Sequence, residues 1–170
     1  MDVFEAVRTR RSIRRYEERP VEEEKLQRVL EAGRLSPSAA NRQPWHFIVV
    51  REASAKERLR SSYGEEWFAG APVIIVVCAD PSLAWRRRDG EEVWKIDAAI
   101  ALQTMVLCAW DEGLGTCWIC AFDEKAAKEA LGIPNGIRVV AMTPLGYPAE
   151  RKEPVTQRKR LNEIVHYERW

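Results

Sequence analysis

Within five residues near the N-terminus, Arg10-Arg11-Ser12-Ile13-Arg14, the chain sets three arginines and a hydroxyl side by side. A guanidinium is a planar fork of donors that matches a phosphate, and a terminal phosphate carries roughly −1.5 to −2 charges. The segment suits a phosphate; taken alone, it suits a solvated basic turn as well. A second stretch, SPSAANRQPW (36–45), puts short hydroxyls, Asn41 and Gln43 on a loop ahead of a strand. Such groups can read the polar edge of a flat heterocycle by hydrogen bonding. The plainer reading is a loop whose Ser and Asn side chains satisfy their own backbone.

The run GLGTCWIC (113–120) offers two leads that fail on their own terms. Gly-x-Gly suggests a dinucleotide fingerprint, but the third glycine is missing and the motif ends a helix where a fingerprint starts one. Cys117 and Cys120 have the spacing of a redox pair or half a zinc site. A redox pair wants a helix N-terminus, whereas strand alternation puts these two side chains on opposite faces. A zinc site needs about four ligands, and Cys78, Cys108, His46 and His166 have no ligand-like spacing, so no metal is expected. His46 reads as a packed strand histidine and not as a base. No Ser-His-Asp or Cys-His grouping appears at local spacing. The arginines at 86–88 suit a 2′-phosphate or a solvated charge run.

The chain that must position these groups has 170 residues, one domain by length. Its 27 basic and 26 acidic residues leave a net charge of +1, with no bulk signal for nucleic acid or a membrane surface. The longest apolar run, 73–79, is far too short to cross a bilayer. Four cysteines without an export signal point to a reducing compartment, with the cytoplasm as the expected setting.

Hydrophobic periodicity supplies the elements. Residues 2–9 read as a short helix with Val3, Phe4 and Val7 on one face. From Val21 to Leu35, apolar residues recur at helical spacing behind an acidic first turn. WHFIVV (45–50) is a strand, 54–62 a short surface helix, and VIIVVCA (73–79) a strand buried on both faces. Residues 80–92 are polar and read as mobile. The span 93–110 is helical and apolar nearly all round, which marks a central or interface helix. TCWICA (116–121) reads as a third strand, Asp123 to Leu131 as a capped helix, and IRVVAMTPLG (137–146) as a fourth strand. The amphipathic end LNEIVHYERW needs an apolar partner that the nearby sequence does not supply.

Taken in order, RRSIRRY, SPSAANRQPWHF, GAPVIIVVCA, the helix-to-strand stretch DAAIALQTMVLCAWDEGLGTCWI, PLGYPAE and RKRLNEIV resemble the nitroreductase / flavin reductase family over nearly the whole chain. The resemblance implies an α+β fold, an α/β/α sandwich with a central, mostly antiparallel sheet flanked by helices. It implies one FMN-binding domain over 1–170, with 150–170 as an extension packed on the partner of a homodimer. Arg10, Arg11, Ser12 and Arg14 would hold the flavin, with Arg14 near N1 and O2. Pro37, Ser38 and Ala39, with Asn41 and Gln43, would reach it from the partner subunit. Trp118, Ile119 and Cys120 would lie along the ring, with the Cys120 backbone N–H facing N5, and Arg158 and Arg160 would contact the phosphate. No catalytic side chain is implied.

The implied activity is that of an NAD(P)H-dependent oxidoreductase. Hydride would pass from NADH or NADPH to flavin N5, and on to a nitroaromatic, quinone or similar small acceptor by ping-pong chemistry. The chain departs from the pattern in two ways: about a dozen residues (80–92) replace the lid of longer members, and Cys120 stands where some members carry a glutamate. Rival readings are a flavin-fragmenting or dehalogenating relative, a non-catalytic flavin-binding module, and a thiol or metal redox protein using Cys117 and Cys120.

Overall fold

Seven consecutive residues, Val73–Ala79, are each at most 3% exposed, and they form the central strand β2. The computed structural model describes residues 1–170. β1 (Trp45–Val50) pairs antiparallel with one side of β2, Trp45 opposite Ala79. β4 (Arg138–Gly146) pairs antiparallel with the other side, Val73 opposite Leu145. β3 (Gly115–Thr116) joins the far side of β4, giving the order β1-β2-β4-β3. A continuous β-branched run suits an inner strand because both of its faces are covered.

Successive side chains of a strand point to opposite faces, and β2 accordingly feeds two cores. Ile75 and Val77 pack with α2 (Glu23–Arg34) and α5 (Trp94–Asp111). Ile74 and Val76 pack with α3 (Ala53–Leu59), α4 (Glu66–Ala69) and α6 (Glu124–Leu131). Helices therefore cover both faces, the expected α/β/α arrangement. Gly33 lets α2 seat directly on α5: a Cβ there would stand 2.8 Å from Met105 Sδ. α1 (Val3–Thr9) starts on Asp2, whose carboxylate accepts the Glu5 N–H, and is tied to α5 by the Trp110 indole donating to Thr9 Oγ1 at 2.9 Å.

Four details differ from the sequence reading. The expected strand 116–121 is interrupted: β3 covers Gly115–Thr116, and pairing resumes only at Ile119 opposite Met142. The cause lies on the neighbouring strand. Pro144 occupies the position that faces Cys117 and has no N–H to give to the Cys117 carbonyl; the Cys117 N–H donates to Thr143 Oγ1 at 3.2 Å, and that hydroxyl donates on to the Pro144 carbonyl at 3.0 Å. Segment 80–92 is built, not featureless, with a turn capped by Asp80 and an Arg86–Glu92 bridge. His46 is exposed on an edge strand rather than packed. α4 was not expected; its Phe68 is fully buried and ties the segment to the second core.

Candidate functional site

The N-terminal basic segment is pinned to the sheet edge. Ser12 bridges in parallel to Thr116, and the Ile13 N–H donates to the Thr116 carbonyl at 2.9 Å. Ile13, 1% exposed, presses onto Gly115, where a Cβ would meet Ile13 Cγ1 at 2.7 Å. Gly113, at φ 77, ends α5 in the left-handed turn that aims the chain into β3, and the Leu114 N–H closes it on Ala109 O at 2.8 Å. The two glycines of the false fingerprint thus make a turn and a close approach.

The same segment is clamped from the C-terminal side. Glu150 Oε1 accepts the Arg14 backbone N–H at 2.7 Å and lies 2.8 Å from Lys152 Nζ, which also donates to Ser12 O at 2.9 Å. Burial alone would raise the Glu150 carboxyl; the Arg14 N–H and the Lys152 ammonium outweigh it and hold the group below its usual value. Tyr16 donates to Ile13 O at 2.6 Å, and burial, with Cys117 and Glu150 nearby, pushes its phenol well up.

Beyond Thr116 this edge is open. Ile119 exchanges both backbone hydrogen bonds with Met142 at 2.9 and 3.0 Å, so the N–H groups of Trp118 and Cys120 point away from β4. Neither has a backbone acceptor. The Trp118 indole N–H is buried and also without a partner, which is unusual for a buried donor. Cys117 is buried and Cys120 exposed, on opposite faces as alternation requires.

Guanidiniums gather at the same place. Burial and then the Arg158 and Arg11 charges depress Arg10 below its ordinary value, so the two ends of the chain meet here. Nine of the fifteen other arginines find carboxylates, such as Arg138 with Glu124 at 2.8 Å and Arg51 with Glu23 at 2.6 Å; the rest are scattered over the surface. No ion pair engages Arg10, Arg11, Arg14, Arg158 or Arg160. Like charges drawn together without a counter-charge fit an anionic ligand. Arg14 also lies 5.8 Å from the centroid of the Trp67 ring, itself edge-on to Tyr63. Arg160 begins a short 3₁₀ turn, and no contact links it to Arg10.

The loop 37–43 is not brought to this cluster within the chain. It leads into β1, the opposite edge strand, three strand spacings or roughly 14 Å from β3. Its backbone is unusual: Ala40, Asn41 and Gln43 have φ of 49, 53 and 49°. Left-handed conformations cost on the order of 1 kcal/mol each in non-glycine residues and persist only where the surroundings impose them. Here Ser38 Oγ accepts the Gln43 N–H at 2.9 Å, the Gln43 amide donates to Asn41 Oδ1 at 3.1 Å, and Asp97 Oδ1 accepts the Ala39 N–H at 3.0 Å.

Asp97, Glu150, Lys152 and Trp67 were missed from the sequence. Asp97 left a signal, an acid inside the apolar stretch of a helix; the others left none. A hollow of about 760 Å³ lies between α6 and the start of β4, and none of the clustered arginines lines it. Its single hydrophobic lining residue suits a planar ligand poorly. The site is an open edge, not an enclosed cavity.

Known proteins share this fold. The nitroreductase family pattern matches residues 7–67 and 60–147. A relative from Archaeoglobus fulgidus, provisionally named an NADH dehydrogenase/NAD(P)H nitroreductase, is 35% identical over 175 residues and covers 99% of both chains. The crystal structure of a nitroreductase family protein from Clostridium difficile 630 superposes with a TM-score of 0.90 at 33% identity, covering 100% of each chain. An FMN-dependent nitroreductase from Clostridium difficile R20291 superposes with a TM-score of 0.81 at 32% identity over 97% of this chain and 98% of its own. With the family pattern matched over most of its length, a 35% identical relative covered at 99% and a superposition at a TM-score of 0.90, this chain belongs to the nitroreductase family.

Proposed function

We propose that the chain is an FMN-dependent NAD(P)H oxidoreductase acting as a homodimer, with each flavin held between two copies. The observation that carries this reading is the edge beside Thr116. There, unpaired N–H groups of Trp118 and Cys120 adjoin guanidiniums that have no counter-charge. The relatives' names, NAD(P)H nitroreductase and FMN-dependent nitroreductase, point the same way.

FMN, when bound, accepts hydride from NADH or NADPH and passes it to a nitroaromatic, quinone or similar small oxidised acceptor in ping-pong order. The chain binds and orients. Arg10, Arg11 and Arg158, with Arg160 in the full assembly, neutralise the phosphate, and Ser12 adds a hydroxyl. Arg14, fixed through its own backbone by Glu150, offers positive charge to the pyrimidine side of the ring, which favours the reduced anion. The free Cys120 N–H would serve the N5 side without any side-chain acid. Trp118 and Ile119 would lie along the ring.

A second copy is part of the proposal because the two halves of the site lie at opposite sheet edges. Pro37, Ser38, Ala39, Asn41 and Gln43 can meet the arginines only across a subunit boundary. The apolar groups left outside fit such a boundary: Phe4 on α1 is 76% exposed, Ile96 on α5 54%, and Leu161 on the tail 75%. The whole of 1–170 then acts as one domain, with 150–170 reaching over the partner. No helix is long and apolar enough to cross a membrane. A cytoplasmic setting, where nicotinamides are reduced and four thiols stay free, belongs to the same reading.

The test compares FMN with riboflavin, which lacks the phosphate. Wild-type protein should bind FMN and be bleached anaerobically by NADH or NADPH. Arg158→Ala should lose roughly tenfold or more in FMN affinity while riboflavin binding holds. Arg14→Ala should weaken both flavins and lower the midpoint potential. A monomeric protein that ignores FMN would end the proposal.

A further inference from the structure

Asp97 is the one carboxylate in the buried interior, 2% exposed, in the first turn of a largely apolar helix. Removing a carboxylate from water is costly unless it is engaged. The positive end of α5 offsets part of that cost. One oxygen accepts the Ala39 N–H at 3.0 Å, and the other is buried without a partner. Its only hydrogen bond therefore goes to the loop that carries Ser38, Asn41 and Gln43, where three non-glycine residues hold left-handed backbone. Relaxed φ values would turn the Asn41 and Gln43 amides elsewhere.

We infer that Asp97 is a positioning residue that acts through the Ala39 amide to hold the 38–43 loop in its flavin-reading course. It touches neither flavin nor substrate. Ile96 and Ile100, its neighbours along α5, are exposed apolar residues, so the same helix turn that fixes the loop also faces the proposed subunit boundary. The inference rests on the reading that this loop reaches the flavin from the second copy.

The experiment uses Asp97→Ala and Asp97→Asn in the full-length protein. Amide hydrogen exchange is read without flavin, and FMN and riboflavin titrations follow. Asparagine keeps an acceptor for the Ala39 N–H; alanine does not. Asp97→Ala should speed exchange across 39–43 by roughly tenfold or more and weaken FMN and riboflavin by equal factors, because the phosphate contacts are untouched. Asp97→Asn should restore most of both. Unchanged exchange at 39–43 in the alanine variant would overturn the inference, and so would loosening spread evenly over α5 and the sheet. If the asparagine variant were as impaired as alanine, the acceptor role would also fail. Should the wild-type protein bind neither flavin, the flavin reading falls by itself, while the exchange measurements still decide whether Asp97 fixes the loop.

Discussion

The Oε1 oxygen of Glu150 lies 2.7 Å from the backbone nitrogen of Arg14, so an acid near the end of the chain fixes the course of an arginine near its start. Lys152 completes the link by reaching Ser12 O. Glu150→Ala frees both ends and should weaken FMN binding by roughly tenfold, the worth of a charge-assisted hydrogen bond. Because its carboxyl sits below the ordinary value of 4.5, Glu150 contributes its full stability above that pH and loses it only on further acidification. Fluorescence titrations of FMN between pH 5 and 8 should therefore show a constant gap between wild type and variant. A gap that opens within that range would contradict the clamp.

Gly115→Ala tests the contact that seats the basic segment. The new Cβ would stand 2.7 Å from Ile13 Cγ1 and 2.8 Å from its Cβ, too close to stay. Overpacking of this kind costs about 1–3 kcal/mol. The melting temperature and the FMN affinity should fall together, because Ser12 and Arg14 flank the displaced residue. A loss of stability with binding intact would show that the segment's position does not matter for the ligand.

Thr143→Val probes the repair beside Pro144. Valine keeps the shape but leaves the Cys117 N–H, buried and now unpaired, with a penalty of about 1–3 kcal/mol. For a chain of this size, the midpoint of thermal unfolding should drop by roughly 2–12 °C. Calorimetry of the flavin-free protein measures this directly. Thr143→Ser, which retains the hydroxyl, should recover most of the loss.

The thiols report on the centre of the sheet and on its edge. Burial pushes the Cys78 thiol up to about 12, while Cys120 is exposed. Alkylation near pH 8 should modify Cys120 quickly and leave Cys78 untouched until the protein unfolds, with bound FMN protecting Cys120. The raised Cys78 value contributes stability that is complete below its ordinary value of 9.0 and is lost as pH rises toward about 12. Melting temperatures should therefore begin to fall above pH 9. Rapid labelling of Cys78 in folded protein would show that β2 is not central.

Much of the fold was legible because burial writes itself locally. The unbroken run at 73–79 announced an inner strand, and the all-round apolar span near 93–110 announced a helix with protein on most sides. The basic segment and the 36–45 loop stood out in the sequence as candidate binding chemistry, and their family order shaped the proposed site. What escaped were links between distant positions. Asp97 meets Ala39 across 58 residues, Glu150 meets Arg14 across 136, and Lys152 meets Ser12 across 140. Nothing near 116–121 foretells its broken pairing, because the cause is a proline on the neighbouring strand. A histidine after a tryptophan looked packed, but β1 lies at an edge and leaves His46 outside.

Placing the arginines at one rim of the sheet and the 37–43 loop at the other has a genetic corollary. In the proposed dimer, damage to either half would be confined to the clefts that borrow that half. A chain carrying Arg158→Ala and a chain carrying Asp97→Ala, each impaired as a pure population, should complement when co-expressed. The hybrid would concentrate both lesions in one cleft and leave the other whole, so activity should return in mixtures where neither parent alone supplies it.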